Sequence, residues 1–325
     1  MSQHDPIATT TLGKHGPRVG VQGLGCMGMS EFYGVSDRAE SLATLERALD
    51  RGANLIDTAD MYGSGDNERL IGEVIRKRRD EVVIASKFGF VRTADDGLSF
   101  TLDNRPEYIH RAVDESLRRL GVDELDVYYM HRRVQEVPLA DSIGAMAELV
   151  KAGKVRYLGL SEVTAEELQE AHRIHPISAV QSEWSLFARD VEAQVVPMAA
   201  ELGVAFVPYS PLGRGMLTGA GLSGAEGDLR GFLPQFSGAA GEHNRQLVTQ
   251  VTALAHQLGV TAAQVALAWV HQRAQVHGLA VVPIPGTRRR ARLDENLQAA
   301  TLKLDAAALA RLDTLAAQVQ GSRLV

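Results

Sequence analysis

Eight short apolar runs, each set apart from the next by a segment of helical period, leave this chain few folds to choose from. The runs cover residues 19–24, 54–58, 82–87, 126–131, 155–161, 179–183, 205–209 and 280–284. Between them lie amphipathic segments at 37–51, 66–79, 105–120, 139–152, 164–174, 190–202 and a longer helical stretch, 242–273. Strands that are apolar almost throughout are covered on both faces, which is the habit of parallel strands with helices packed outside. Helix start signals agree: Ser36-Asp37, Asn104-Arg105-Pro106-Glu107 and the capping sequence Thr164-Ala165-Glu166-Glu167. Gly121, Gly153 and Gly203 stand just past predicted helix ends, where a left-handed residue is favoured. The expected fold is α/β, a (β/α)8 TIM barrel.

Three segments fall outside the repeat. Residues 8–18 suit an N-terminal hairpin capping the barrel bottom, and 305–319 an extra C-terminal helix outside it. Residues 212–241, after the seventh strand, form a long Gly-rich loop of the kind that is usually functional or disordered. No linker divides the chain, so residues 1–325 are expected to form one domain.

Composition closes off several classes of partner. A formal charge of −6 with no basic face or tail argues against nucleic acid, and the one basic run, Arg288-Arg289-Arg290 with Arg292, suits a single phosphate. Cys26 is the lone cysteine, so no intrachain disulfide is possible. There is no signal peptide and no apolar stretch long enough for a membrane span, so a soluble, cytoplasmic protein is expected.

Gly23-Leu24-Gly25-Cys26-Met27-Gly28 spells the dinucleotide-binding fingerprint, but that motif must open directly into a helix. Here residues 29–36 intervene, and a structural strand exit is the better reading. Chemistry points elsewhere. Asp57, Lys87 and His131 each close an apolar run, and Tyr62 lies five residues beyond Asp57. Taken singly, Asp57 and Lys87 suggest a structural salt bridge, Tyr62 loop packing, and His131 a hydrogen-bonded core residue. Together at one end of successive strands they form the pattern of a barrel active site. A phenol, an ammonium, a carboxylate and an imidazole make a proton donor whose acidity can be tuned.

Further motifs follow at nearly every strand end: Asp60-Met61-Tyr62-Gly63 with Asn67-Glu68, Leu158-Gly159-Leu160-Ser161-Glu162, Gln181-Ser182-Glu183-Trp184-Ser185 and Tyr209-Ser210-Pro211-Leu212-Gly213-Arg214-Gly215. The last is Ile284-Pro285-Gly286-Thr287-Arg288-Arg289, followed by Arg292, Glu295 and Asn296. In this order, over almost the whole chain, they resemble the aldo-keto reductase superfamily. Gly25-Cys26-Met27-Gly28-Met29, Tyr128-Tyr129-Met130-His131-Arg132 and Leu229-Arg230-Gly231-Phe232-Leu233-Pro234 resemble its bacterial and fungal branch that reduces pyridoxal and aromatic aldehydes.

The resemblance implies an NADPH-dependent oxidoreductase that reduces aldehydes or ketones, with Tyr62 as general acid. Lys87 would lower the phenol's pKa from about 10, Asp57 would hold Lys87, and His131 would orient the substrate oxygen. Ser161, Glu162 and Gln181 would grip the nicotinamide carboxamide, Glu162 standing where many relatives have asparagine. Trp184 falls where an aromatic stacks on the nicotinamide, its alternative being core filling. Tyr209 joins the cofactor residues, and Ser210, Leu212, Gly213 and Arg214 would meet the pyrophosphate under the 212–241 loop. Thr287, Arg288 and Arg292 would hold the 2′-phosphate, the alternative being a solvated helix start, and Glu295 and Asn296 would meet the adenine. Gly286 stands where some relatives place a lysine, which weakens the NADPH preference.

The substrate, a small-molecule carbonyl, would lie against Met27, Met29, Phe32, Tyr33, Met61, Phe88, Phe90 and Arg132, with one of Phe88 and Phe90 possible as an outward-packed residue. Arg132 would meet an anionic group on the substrate or pair with an acidic neighbour. The expected protein is monomeric or weakly oligomeric. A second reading is a redox-sensing regulatory subunit that binds NADPH and turns over slowly, like the potassium-channel β subunits of this fold. A metal-dependent hydrolase fails, because no His-x-His pair marks the first strand and no second histidine joins His131 at a strand end.

Overall fold

Seven parallel strands run around a barrel in a computed structural model that describes residues 5–92, 99–219 and 228–322. They are β1 (Leu24–Gly25), β2 (Leu55–Asp57), β3 (Val83–Phe88), β4 (Leu125–Met130), β5 (Val155–Ser161), β6 (Ile177–Glu183) and β7 (Ala205–Tyr209), paired in chain order. The eighth run, 280–284, closes the barrel through isolated bridges, Gly25 with Gly286 on one side and Phe206 with Val281 on the other. Pro283 and Pro285 have no N–H to give a ladder, so the closure reduces to single bonds such as Gly23 N–H to the Pro283 carbonyl (3.0 Å) and Ile284 N–H to the Pro208 carbonyl (3.1 Å).

Alternation along each strand divides the core in two. Leu55, Val83, Ala85, Val127, Tyr129, Ala179, Ala205 and Val207 fill the barrel interior with Val282 and Ile284. The residues between them, Ile56, Ile84, Tyr128, Met130 and Val180 among them, face the surrounding helices. Those helices are α1 (Arg38–Asp50), α2 (Asp66–Ile75), α3 (Pro106–Leu120), α4 (Leu139–Lys151), α5 (Ala165–Ile174), α6 (Val195–Leu202), α7 (Gly238–Leu258), α8 (Ala262–His277), α9 (Arg290–Gln298) and α10 (Ala306–Asp313). Asp37 caps α1 through the Glu40 N–H, Pro106 opens α3, and Thr164 and Glu167 form a reciprocal capping box on α5. Gly121 and Gly203 close α3 and α6 in the left-handed conformation.

The structure redraws three boundaries. The first apolar run is split: Arg18–Gly20 pairs antiparallel with Thr9–Thr11 as the bottom hairpin, and only Leu24–Gly25 joins the barrel. Leu12 and Val19 from that hairpin plug the interior from below. The long helical stretch is two helices, because left-handed Gly259 (φ 67°) ends α7 and a Thr261–Gln264 capping box starts α8. The C-terminal helix stops at Asp313, followed by a short turn at Ala316–Gln318. After Gly28 the chain makes one turn (Met27–Met29) and reaches a helix only at Arg38, which rules out a Rossmann entry. No single helix among the described residues is long and apolar enough to cross a membrane.

Candidate active site

Strand parity brings the four chemical residues together. Asp57 is the last residue of β2 and pairs in register with Ala85, two residues before Lys87 on β3. Lys87 pairs with Tyr129 on β4, and His131 follows that strand with the inward parity of Val127 and Tyr129. The Lys87 ammonium is fully buried and donates to Asp57 Oδ1 (2.5 Å) and to the Thr58 carbonyl (2.7 Å). Gln181 from β6 donates to the other carboxylate oxygen (2.8 Å), so both faces of Asp57 are held. Lys87 Nζ lies 5.3 Å from the centre of the Tyr62 ring, and the Tyr62 and His131 rings meet edge to face at 6.0 Å.

Tyr62 reaches this cluster because Gly63 and Ser64 turn in the left-handed region directly after it. Asn67 anchors the same loop from below. Its amide donates to the Cys26 carbonyl (2.8 Å) and Ser30 Oγ (2.7 Å), and its oxygen accepts from Thr58 (2.7 Å). Above, Arg92 donates to the Met61 carbonyl (2.9 Å) and pairs with Glu31 (2.6 Å), bracing the loop against the β1 exit. Nothing in the residue pattern announces this brace; Tyr129, part of the Tyr128-Tyr129-Met130-His131-Arg132 motif, places its ring centre 6.0 Å from Lys87 Nζ.

Burial sets the protonation states. It pushes the Tyr62 phenol well above its ordinary pKa, and the Asp57 charge pushes it further, while the Arg132 guanidinium pulls it down. The Lys87 ammonium lies beside the same phenol, its charge partly matched by Asp57, to which it is bonded. Burial also holds the His131 imidazole well below its ordinary value, helped by repulsion from Lys87 and Arg132. Near neutral pH the site holds a protonated phenol beside a neutral imidazole, whose buried Nδ1 has no partner among the described residues.

The other expected residues divide. Met27, Phe32, Met61 and Phe90 pack with Tyr62 and Ala59 at the barrel mouth, and the Phe90 ring meets His131 edge-on at 4.7 Å. Phe88 and Met29 do not reach it. Phe88 has the outward parity of Ile84 and packs on Tyr128, and Met29 is buried in the helix-side core. Trp184 is likewise displaced: it follows Glu183 with the outward parity of Val180 and lies fully buried between Phe206 and His277. Its indole N–H is bonded to Glu192 (2.9 Å). The aromatic that faces the mouth is Tyr209, the inward end of β7, packed on the interior cluster and half-buried.

Ser161 lies at the end of β5, and Glu162, in the left-handed region, accepts the Glu183 N–H (2.9 Å). Leu212 leads into a run, Gly213, Arg214 and Gly215, that is left-handed throughout (φ 56°, 53° and 94°). Arg214 lies 3.9 Å from Glu183. Every non-glycine residue with such a backbone among the described residues (Phe32, Ser64, Glu162, Ser210 and Arg214) sits in a loop on this face. Strained backbone concentrated around one rim marks a working surface. Tyr33 joins the rim to the long loop, bridging to Asp228 beneath the Arg230 guanidinium; residues 220–227 of that loop lie outside the described residues.

Past the closing segment, Gly286, Thr287 and Arg292 stand at the start of α9, with Arg292 exposed. Arg288 is engaged differently from expectation: its guanidinium donates to the Gly34 (2.8 Å), Tyr33 (3.0 Å) and Gly28 (3.3 Å) carbonyls and clamps the β1 exit loop. Glu295 turns to the start of α8 and accepts from Thr261 (2.6 Å), while Asn296 is buried.

This arrangement is shared with known proteins. Residues 23–317 match the model of the Aldo/keto reductase family. A crystal structure of the thermostable aldo-keto reductase Tm1743 with the inhibitor epalrestat is 30% identical and superposes with a TM-score of 0.75, covering 95% of this chain and 100% of that one. The glycerol dehydrogenase AKR11B4 from Gluconobacter oxydans is 25% identical with a TM-score of 0.83, over 100% of this chain and 98% of that one.

Proposed function

The chain belongs to the aldo/keto reductase family, oxidoreductases that work with a nicotinamide cofactor, and from that premise we propose that it reduces aldehydes with NADPH. The observation that carries the reading is the buried Tyr62–Lys87–Asp57–His131 cluster at the barrel mouth, held by Gln181. The cradle fits the cofactor: Ser161 and Gln181 offer a hydroxyl and an amide for a carboxamide, and Tyr209 offers an aromatic face. Leu212, Gly213 and Arg214 stand at the rim, where the pyrophosphate would lie. Gly286 to Arg292 supply the guanidinium for a 2′-phosphate, with Arg292 the exposed candidate.

A reduced nicotinamide, when bound, supplies the hydride. His131, kept neutral, donates one N–H to the carbonyl oxygen and fixes its direction. As negative charge grows on that oxygen, Tyr62 passes its phenolic proton to it, and the nearby Lys87 charge stabilises the phenolate left behind. Asp57 and Gln181 keep the ammonium in place. The apolar surround of Met27, Phe32, Met61 and Phe90 excludes water and favours flat, aromatic aldehydes, as expected of the pyridoxal and aromatic-aldehyde branch.

The test is NADPH consumption by the purified protein over a panel of aldehydes, pyridoxal and nitrobenzaldehydes included, with Tyr62→Phe as control. Turnover lost in the variant is the expected result. Tight NADPH binding without turnover on any aldehyde would overturn it in favour of a redox-sensing subunit.

A further inference from the structure

Arg132 follows His131 at the top of β4, half-buried. One guanidinium nitrogen donates to the His131 carbonyl (2.8 Å) and approaches Ser161 Oγ (3.4 Å), and the group lies over the Phe90 ring at 5.8 Å. What it lacks is an acid. Among the described residues every other arginine withdrawn from solvent lies within 4.0 Å of a carboxylate, except Arg288, which is wrapped by three backbone carbonyls. The acids on neighbouring strand ends are turned elsewhere: Glu162 accepts the Glu183 N–H and Glu183 lies beside Arg214.

A partly desolvated guanidinium without a counter-charge is costly, and its planar fork is shaped for a carboxylate or phosphate. The surroundings place such a group beside the carbonyl-orienting imidazole. Phe90 meets His131 edge-on and carries Arg132 over its ring, so the cation and that imidazole flank the same aromatic side chain at the barrel mouth. We propose that the substrate is an aryl aldehyde bearing an anionic group across the ring from its carbonyl, held by Arg132 while His131 and Tyr62 take the carbonyl oxygen. This rests on the reductase reading above.

The test compares para-carboxybenzaldehyde with its methyl ester, alike in ring and reach but uncharged, and adds para-formylphenyl phosphate to separate carboxylate from phosphate. Wild-type enzyme is expected to favour an anion over the ester by roughly tenfold or more in kcat/KM, the worth of one charge-assisted contact. Arg132→Met is expected to erase that ratio and Arg132→Lys to keep part of it. Should the variants fail to fold, wild-type enzyme still decides. Raising salt from about 0.05 to about 0.5 M should lower kcat/KM for the anions and leave the ester alone.

An ester reduced as well as the anions, or a ratio unchanged in Arg132→Met, overturns the inference and leaves the reductase standing. Equal losses on all substrates with a raised cofactor KM would assign Arg132 to the nicotinamide, which also overturns it. Failure of all three aldehydes, with no other aldehyde turned over, would bring down both readings.

Discussion

At the scale of single residues, the site is built to hold its proton until the reaction calls for it. Tyr62 is made a weaker acid by burial and by Asp57, so donation depends on charge appearing on a substrate oxygen. Tyr62→Phe should lower kcat by about a hundredfold or more while cofactor binding, followed by fluorescence, stays near wild type. Lys87→Met should do more than slow turnover. It leaves the Asp57 carboxylate buried without its cation, a loss of about 3–5 kcal/mol readable as a shift in the urea midpoint. Arg292→Ala should lower the preference for NADPH over NADH by roughly tenfold, seen in the ratio of the two cofactor KM values. Asp57, Lys87 and His131 were legible because each ends an apolar run. Trp184 was misread for want of parity: Gln181 points inward, so the residue three further on points outward, and the aromatic at the mouth had to come from the next strand, at Tyr209.

At the scale of elements, the barrel depends on positions where two strands leave no room. Gly159 on β5 pairs in register with Tyr129 on the adjacent β4, whose ring lies over it, and an added Cβ would stand 2.3 Å from that ring. Gly159→Val should cost about 1–3 kcal/mol from overpacking and tilt the floor beneath Lys87, lowering stability and kcat together. Helices were easier to read than strands, since caps such as Thr164 with Glu167 announce themselves within four residues. The first strand was not, because the run 19–24 shows no break in sequence, and its division between the hairpin (Arg18–Gly20) and the barrel (Leu24–Gly25) is decided by pairing partners elsewhere in the chain. The joint at Gly259 was hidden by the unbroken helical period on either side of it.

At the scale of the molecule, charge and burial set the pH range. Besides His131, burial and Lys303 hold the His271 imidazole down to about 4, next to Gln22. Its folded pKa is below its unfolded value of about 6.5, so above that pH it contributes nothing. Below it the unfolded chain takes up the proton first, and stability is lost as pH falls from about 6.5 to about 4, by up to about 3 kcal/mol. Thermal unfolding across this range should show the loss in wild type and a shallower one in His271→Gln.

The bridged seam between Gly25 and Gly286 joins stretches of chain some two hundred and sixty residues apart. On a ribosome, the barrel therefore stays an open curved sheet until almost the last of its sequence has emerged, with the apolar lining of β1 to β7 uncovered meanwhile. The chamber for chemistry exists only once residues 280–286 have closed it. Its slowest exposure to aggregation falls in the interval before residues 280–286 arrive.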